Sequence, residues 1–372
     1  MDTSALAYQI ALPLLPEVGL QRTKQIVQHF GSAEAFFRAD RAYILSHTHL
    51  SASAVDRIMC AREEALNRAN EEIAFVQKHA IQTYWFEDES YPELLREVPD
   101  APSLLFCKGN IRFTRHMLSI VGTRNPTDRG KQLCEQLVRD LAARVPDLTI
   151  VSGLAFGIDV CAHKAALENG LQTIAVPAHG LDRIYPVQHR NIAIQILQNG
   201  GILTEYMSKT EPEKAHFVAR NRIVAGLTEA TVVIESKSRG GSLITARLAM
   251  DYSRDVFAFP GRPSDVWSAG CNDLIRNNAA MLINNADELI EALNWGSKPQ
   301  PVQTSLDAAL FAELTPDEQL LMDCLRQNED GIHVNTLCEN LQTPYSEVSA
   351  MLFSLELKGL VRPLPGGRYR NA

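Results

Sequence analysis

At 372 residues the chain has room for two or three domains, and a formal charge of −8 with 45% hydrophobic and 7% aromatic residues describes a soluble α/β protein. The negative balance excludes adhesion to nucleic acid by bulk charge, although a local basic patch is still compatible with it. No stretch approaches the roughly 20 apolar residues of a membrane span. Seven scattered cysteines without a C-x-x-C pair argue against a disulfide framework and against a zinc site, which fits a reducing compartment.

The amino terminus, Met1 to Glu17, lacks a basic segment and a small-residue cleavage site, so the expected location is cytoplasmic. The first sixty-odd residues read as helical. A Pro16-x-Val18-Gly19-Leu20 turn precedes an amphipathic helix that stops at Gly31, an arrangement similar to a helix-hairpin-helix, whose turn can offer backbone N–H groups to a phosphate. The plainer reading is a small bundle in which Gly19 caps a helix. A helix from about Val55 to His79 leads into a proline-bearing segment, Thr83 to Gly109, expected to lie extended along the edge of the next domain.

From Met117 the pattern is regular. Apolar runs at SIVG, LTIVSG, TIAVPA, GILTEY, TVVIES, DVFAFPG and AMLIN alternate with helical spacing over Thr127–Arg144, Ile158–Glu168, Gln188–Gln198, His216–Gly226, Ser242–Tyr252 and Cys271–Asn277. Strands alternating with helices of this length predict a mostly parallel sheet with helices on both faces. Glycine turns at Gly122-Thr123-Arg124 and Gly153-Leu154-Ala155-Phe156-Gly157 fall at the carboxyl ends of the first two strands, the edge where such sheets bind ligands. Residues 297–312 read as a polar, proline-bearing linker. Beyond it Thr315 and Pro316 open a helix, and two further helices and a strand pair joined at Pro365-Gly366-Gly367 follow in the order of a winged helix. Its second long helix carries Glu347 and Glu356 with only Lys358 past its end, so protein contact is as well supported as base reading.

Familiar nucleotide devices fail on inspection. The first turn is Gly-Thr-Arg-Asn-Pro-Thr instead of G-x-G-x-x-G, and Gly130-Lys131 is followed by Gln132 with Asn125 where a P-loop needs its first glycine. There is no Gly-x-Ser-x-Gly elbow and no metal-ligand grouping, so no cofactor, metal or catalytic residue is assigned. Asp159 and His163 are spaced for acid–base work, but a helix-starting Asp and a packed His account for them. What the strand ends do offer is cationic: Arg124, then Arg183 and Arg190 around Tyr185-Pro186, Arg220 and Arg222, and Lys237 and Arg239 before Gly240-Gly241-Ser242. A strip of this kind suits an extended polyanion better than one small phosphate.

Six motifs stand in order: Ser119-Ile-Val-Gly-Thr-Arg-Asn-Pro-Thr127, Ser152-Gly-Leu-Ala-Phe-Gly-Ile-Asp159, Ala178-His-Gly-Leu-Asp182 with Tyr185-Pro186, Ala219-Arg-Asn-Arg-Ile-Val-Ala-Gly-Leu227, Gly240-Gly-Ser-Leu-Ile-Thr-Ala246 and Val256-Phe-Ala-Phe-Pro-Gly261. Together they resemble the DNA-processing protein A (DprA/Smf) family over about Thr83 to Leu293. The resemblance implies an extended Rossmann-like domain at 66–296, between a helical helix-hairpin-helix/SAM-like domain at 1–65 and a winged helix at 313–372. It further implies a homodimeric, non-enzymatic single-stranded DNA binder that protects incoming DNA in natural transformation (competence) and loads a RecA-type recombinase in DNA recombination. Carried over, the family's DNA contacts fall on Gly122, Thr123, Arg124, Arg220, Arg222 and Lys237, and the strand ends themselves add Arg183, Arg190, Arg239 and Ser242 to the expected site. A family lysine near Tyr185-Pro186 is replaced here by Gln188 or His189, with Arg190 as the expected substitute. The rival expectation is a nucleotide- or nucleoside-processing enzyme using Asp159, Glu205 or Glu235 as its acid or base.

Overall fold

In the computed structural model, residues 3–295, 314–326, 328 and 331–371 are described; the expected linker at 297–312 lies outside them. The amino-terminal helices are α1 (Thr3–Ala11), α2 (Leu20–Phe30), α3 (Ala33–Arg38), α4 (Arg41–His47) and α5 (Ala52–Lys78). Their starts follow from short polar side chains that satisfy free N–H groups. Ser32 accepts from Ala35 N at 3.0 Å, Asp40 from Tyr43 N at 2.8 Å and Ser51 from Ala54 N at 3.2 Å. Gly19 is the N-cap of α2, and Gly31, at φ 81°, ends it in the left-handed conformation. The domain boundary expected at residue 65 falls inside α5, one continuous helix.

The central domain comprises β1 (Gln82–Trp85), α6 (Glu93–Arg96), β2 (Leu104–Gly109), β3 (Met117–Val121), α7 (Asp128–Arg144), β4 (Thr149–Ser152), α8 (Ile158–Glu168), β5 (Gln172–Ala175), α9 (Arg190–Gln198), β6 (Gly200–Thr204), α10 (Lys214–Gly226), β7 (Ala230–Val233), α11 (Ser242–Asp251), β8 (Asp255–Ala258), α12 (Ala269–Arg276), β9 (Met281–Leu282) and α13 (Ala286–Ala292). They build a nine-stranded sheet in the order β1-β2-β6-β5-β4-β3-β7-β8-β9. Pairing is parallel from β6 to β9, whereas β1 and β2 join antiparallel at the other edge. The proline-bearing segment, expected to lie extended along the edge of the domain, therefore supplies two true sheet strands at that edge with α6 between them. Side chains alternate between two cores, as the pleat requires. Leu118 and Ile120 of β3 face Leu137, Val138 and Leu141 of α7 and Ala162 of α8, whereas Met117 and Val121 face Val224 of α10 and Ala246 of α11. The sheet carries helices on both faces, as the spacing predicts.

The chain runs outward through β3, β4, β5 and β6 and then jumps back to place β7 on the free side of β3. That reversal opens a crevice above the carboxyl ends of β3 and β7. Beyond the linker, α14 (Pro316–Arg326), β10 (Ile332–His333), α15 (Val334–Leu341), α16 (Tyr345–Leu357), β11 (Val361–Leu364) and β12 (Arg368–Asn371) form the winged helix, whose sheet order is β10-β12-β11. Thr315 and Glu318 make a reciprocal capping box at its start: Glu318 N donates to Thr315 Oγ1 at 3.2 Å and Thr315 N to Glu318 Oε2 at 2.9 Å.

Candidate nucleic-acid interface

The crevice holds a cleft of about 330 Å³, lined by the turn after β3 (Gly122 to Arg124), the turn after β4 (Gly153, Ala155), the loop from Lys237 to Ser242, and one side of α10 (Phe217, Arg220, Asn221). Tight packing sets the shape of the first turn. A Cβ on Gly122 would lie 2.5 Å from Ile158 Cγ1, and one on Gly157, at φ 84°, would lie 2.2 Å from the Thr123 carbonyl oxygen. Backbone bonds fix it further, from Thr123 N to Glu235 O at 2.8 Å and from Ile158 N to Thr123 O at 3.2 Å. The loop after β7 is held from within: Ser242, which is buried, donates to Ser236 Oγ at 2.9 Å, and Gly270 packs so closely on Lys237 O that a Cβ would stand 2.5 Å from it. The Ser242 hydroxyl is thus a brace of the loop, and α11 presents the positive end of its dipole to the cleft.

At the rim, Arg124, Lys237 and Arg239 have no carboxylate partner among the described residues. Their neighbours are aromatic. The Arg124 guanidinium sits 5.5 Å from the Phe217 ring centroid, and Lys237 Nζ sits 3.8 Å from that of Trp267. Phe217 in turn meets Tyr185 edge-on at 5.8 Å, and Tyr185 and Phe156 are each more than two-fifths exposed. Cations without acids, interleaved with exposed rings, are what a phosphate chain with unstacked bases requires. Trp267 carried no signal in the sequence because it lies in an irregular loop after β8. Its place is set by β8 being the neighbour of β7.

The floor is different. Arg220 is buried, donates to the carbonyl oxygen of Val176, and closes on Gly153 so tightly that no side chain fits there. It faces Asp159, the one acidic residue among those described along the cleft. Burial raises the Asp159 pKa, opposed by the Arg220 guanidinium and by N–H donors such as that of Ala155. Arg220 therefore shapes the base of the cleft, and its charge is answered before a ligand arrives.

The other expected cations lie elsewhere. Arg222 points away from the cleft, its side chain 8% exposed and ion-paired with Glu205. Two residues on a helix differ by about 200° in direction, so Arg220 and Arg222 cannot share a face. Arg183 is paired with Asp182 at 3.1 Å and with Glu211. Arg190 is exposed at the start of α9. Both follow β5, two strands from the crevice.

The acid–base candidates are each engaged. Glu235 accepts from Thr127 N at 2.8 Å and Thr127 Oγ1 at 2.7 Å, fixing the start of α7. Glu205 holds Arg222, and burial raises its pKa. His163 is fully buried with Nδ1 2.7 Å from Thr173 Oγ1, and burial, with Arg220 and His189 nearby, pushes its pKa down to about 3.

Comparison with known proteins matches both the central domain and the winged helix. The family model described as DNA recombination-mediator protein A matches residues 82–294, and the DprA winged helix domain matches residues 306–367. Protein Smf of Synechocystis is 32% identical over the whole of both chains. DNA processing protein DprA of Streptococcus pneumoniae is 44% identical over 55% of this chain and 72% of its own. The X-ray structure of the pneumococcal protein superposes with a TM-score of 0.61 at 33% identity, covering 78% of this chain and 97% of that one. A structure of DNA processing protein A from Helicobacter pylori, solved for its single-stranded DNA binding mode, does so at 0.52 and 34% identity, covering 58% and 96%.

Proposed function

The chain belongs to the DprA/Smf family of DNA recombination-mediator proteins, and on that premise we propose that its cleft grips single-stranded DNA by the backbone without regard to sequence. The observation that carries the reading is the set of cations without a carboxylate partner among the described residues, Arg124, Lys237 and Arg239, brought by two separate strand ends to one rim beside Phe217 and Trp267. Phosphates meet the rim and the start of α11, and splayed bases meet the rings, each stacked base adding about 1–3 kcal/mol. In the cell this protects incoming DNA during natural transformation and passes the strand to a RecA-type recombinase. The protein works in the cytoplasm as a homodimer and makes or breaks no bond itself. The engagement of Asp159, Glu205 and Glu235 in structural pairs supports a binding role over a nucleotide-processing one.

The test is fluorescence anisotropy with oligothymidylate. Arg124→Ala combined with Lys237→Ala abolishes binding while the melting curve stays in place, whereas undiminished binding by the double variant sinks the assignment. A saturable rise in melting temperature with nucleoside monophosphates but not with oligonucleotides would favour the enzyme. The recombinase step is read as faster filament nucleation on single-stranded DNA when the protein is added.

A further inference from the structure

The winged helix is fastened to the central domain by the turn of its own hairpin. The Gly366 carbonyl accepts from Nη1 of Arg254 at 3.1 Å. The Arg254 side chain is fully buried, and its Nη2 donates to Leu94 O at 2.7 Å and Glu97 Oε2 at 3.0 Å. A Cβ on Gly367 would stand 3.1 Å from that of Ser253, so the turn rests directly on the loop between α11 and β8. At the start of β12, Arg368 donates to Glu93 Oε1 at 3.1 Å.

The register of the hairpin adds a second observation. Arg362 of β11 lies directly opposite Arg370 of β12, and Arg368, two residues before Arg370, shares its face. Like charges directly opposed weaken a strand pair, and among the described residues neither Arg362 nor Arg370 has a carboxylate partner. The hairpin thus carries three guanidinium groups on one side, and the central domain supplies an acid to one of them. Tyr369, the hairpin's aromatic residue, points to the other face and is half-buried. The ring opposite Arg368, that of His333, is buried, so among the described residues no exposed ring stands beside the arginines to stack an unpaired base, and the surface suits a phosphate backbone whose bases are already paired.

We propose that this contact is an autoinhibitory latch: docked, the hairpin's tip is covered and Glu93 stands where a phosphate would; released, the three arginines bind the backbone of duplex nucleic acid. The exposed face of α16 does not compete for that role, since Phe353 and Leu357 project from it alongside Glu356. The latch does not depend on the cleft.

Two variants of the full chain test it. Ser253→Trp wedges the turn off its seat from an exposed position, and Ser253→Cys with Gly367→Cys closes it, because the two β-carbons lie within reach of the roughly 3.8 Å a disulfide spans. Affinity for a duplex of about 30 base pairs is measured at about 50 and 200 mM salt. The opened variant binds at least tenfold tighter than the locked one, with a salt slope steeper by about 0.9, for the one guanidinium, Arg368, that Glu93 occupies in the docked state. Arg362→Ala with Arg370→Ala in the opened protein removes the gain, and oligothymidylate binding is the same throughout. A duplex affinity of Ser253→Trp equal to that of the parent overturns the latch, and is read in place of linkage because Gly367 sits at φ 70°, where a cysteine is strained whether or not the wing is docked. Equal duplex affinity of the opened and locked forms overturns the inhibition, and a gain that survives loss of both arginines overturns the assigned surface.

Discussion

Gly157 tests whether the cleft depends on backbone shape as much as on charge. Its φ of 84° and ψ of −124° lie in a region that only glycine occupies without strain, costing another residue about 1–3 kcal/mol. In Gly157→Ala the new methyl group also stands 2.2 Å from the Thr123 carbonyl oxygen and 2.7 Å from the Arg124 Cα, about 1.2 Å short of ordinary contact at the nearer atom. Both obstacles are backbone, so no rotamer change relieves them, and the bond from Ile158 N to Thr123 O must open. Strain, clash and the lost bond together come to about 3–5 kcal/mol. At roughly 2–4 °C per kcal/mol for a domain of this size, melting falls by about 10 °C. What remains folded carries Arg124 about 1 Å out of place. Differential scanning fluorimetry and oligothymidylate anisotropy on the same sample read the two effects. An alanine variant that melts within 2 °C of the parent and binds with unchanged affinity refutes the reasoning.

Single substitutions Lys237→Ala and Arg239→Ala are each expected to flatten the salt dependence of single-strand binding by about 0.7, whereas Arg222→Ala leaves the slope alone and lowers stability by leaving Glu205 buried and unpaired. Trp267→Ala weakens binding through loss of both the ring and the seat of Lys237, while Trp267→Phe retains most of it; equal affinity for all three proteins would remove Trp267 from the site. His163 has a folded pKa near 3 against about 6.5 when unfolded, so the unfolded chain takes up the proton first. Its contribution is complete above pH 6.5 and falls by about 2 kcal/mol by pH 5. In urea melts at these two pH values, His163→Leu removes that part of the difference. In the winged helix, Glu318 accepts from Lys358 at 2.7 Å, Ser354 at 2.7 Å and Thr315 N, which lowers its pKa to about 2. The stabilisation is complete above the ordinary carboxylate range near 4.5 and is lost as pH falls from there towards 2, so protection from hydrogen exchange across Tyr345–Leu357, taken relative to the intrinsic rate at each pH, falls in that window, and Lys358→Met shrinks the change.

The sheet was legible because buried parallel strands leave continuous apolar runs, and each expected run from Met117 onward coincides with a strand. The cleft was legible only in part, because motif spacing shows which residues follow a strand but not which strands are neighbours. Arg124 and Lys237 lie far apart in sequence and meet because β7 inserts beside β3; Arg183 and Arg190 follow a strand end of the same type and are left outside. Arg222 was separable in principle, since a helix that turns Arg220 inward must turn Arg222 away. Ser242 reads in the sequence as a contact because a hydroxyl at a helix start is equally able to bind an anion or brace a loop, and only the Ser236 partner distinguishes them.

The long helix α5 leaves a lasting mark on the rest of the chain. Glu72, almost wholly enclosed, accepts from Ser208 N, Ser208 Oγ and Arg68, and the apolar surface of the first five helices continues without a break into Trp85, Leu104 and Phe106 of the sheet's antiparallel edge. The segment matched as the recombination-mediator module begins at residue 82, yet a chain started there would open that oily flank to solvent. Recombining these modules during evolution, or in the laboratory, would require repainting the flank along with severing the peptide.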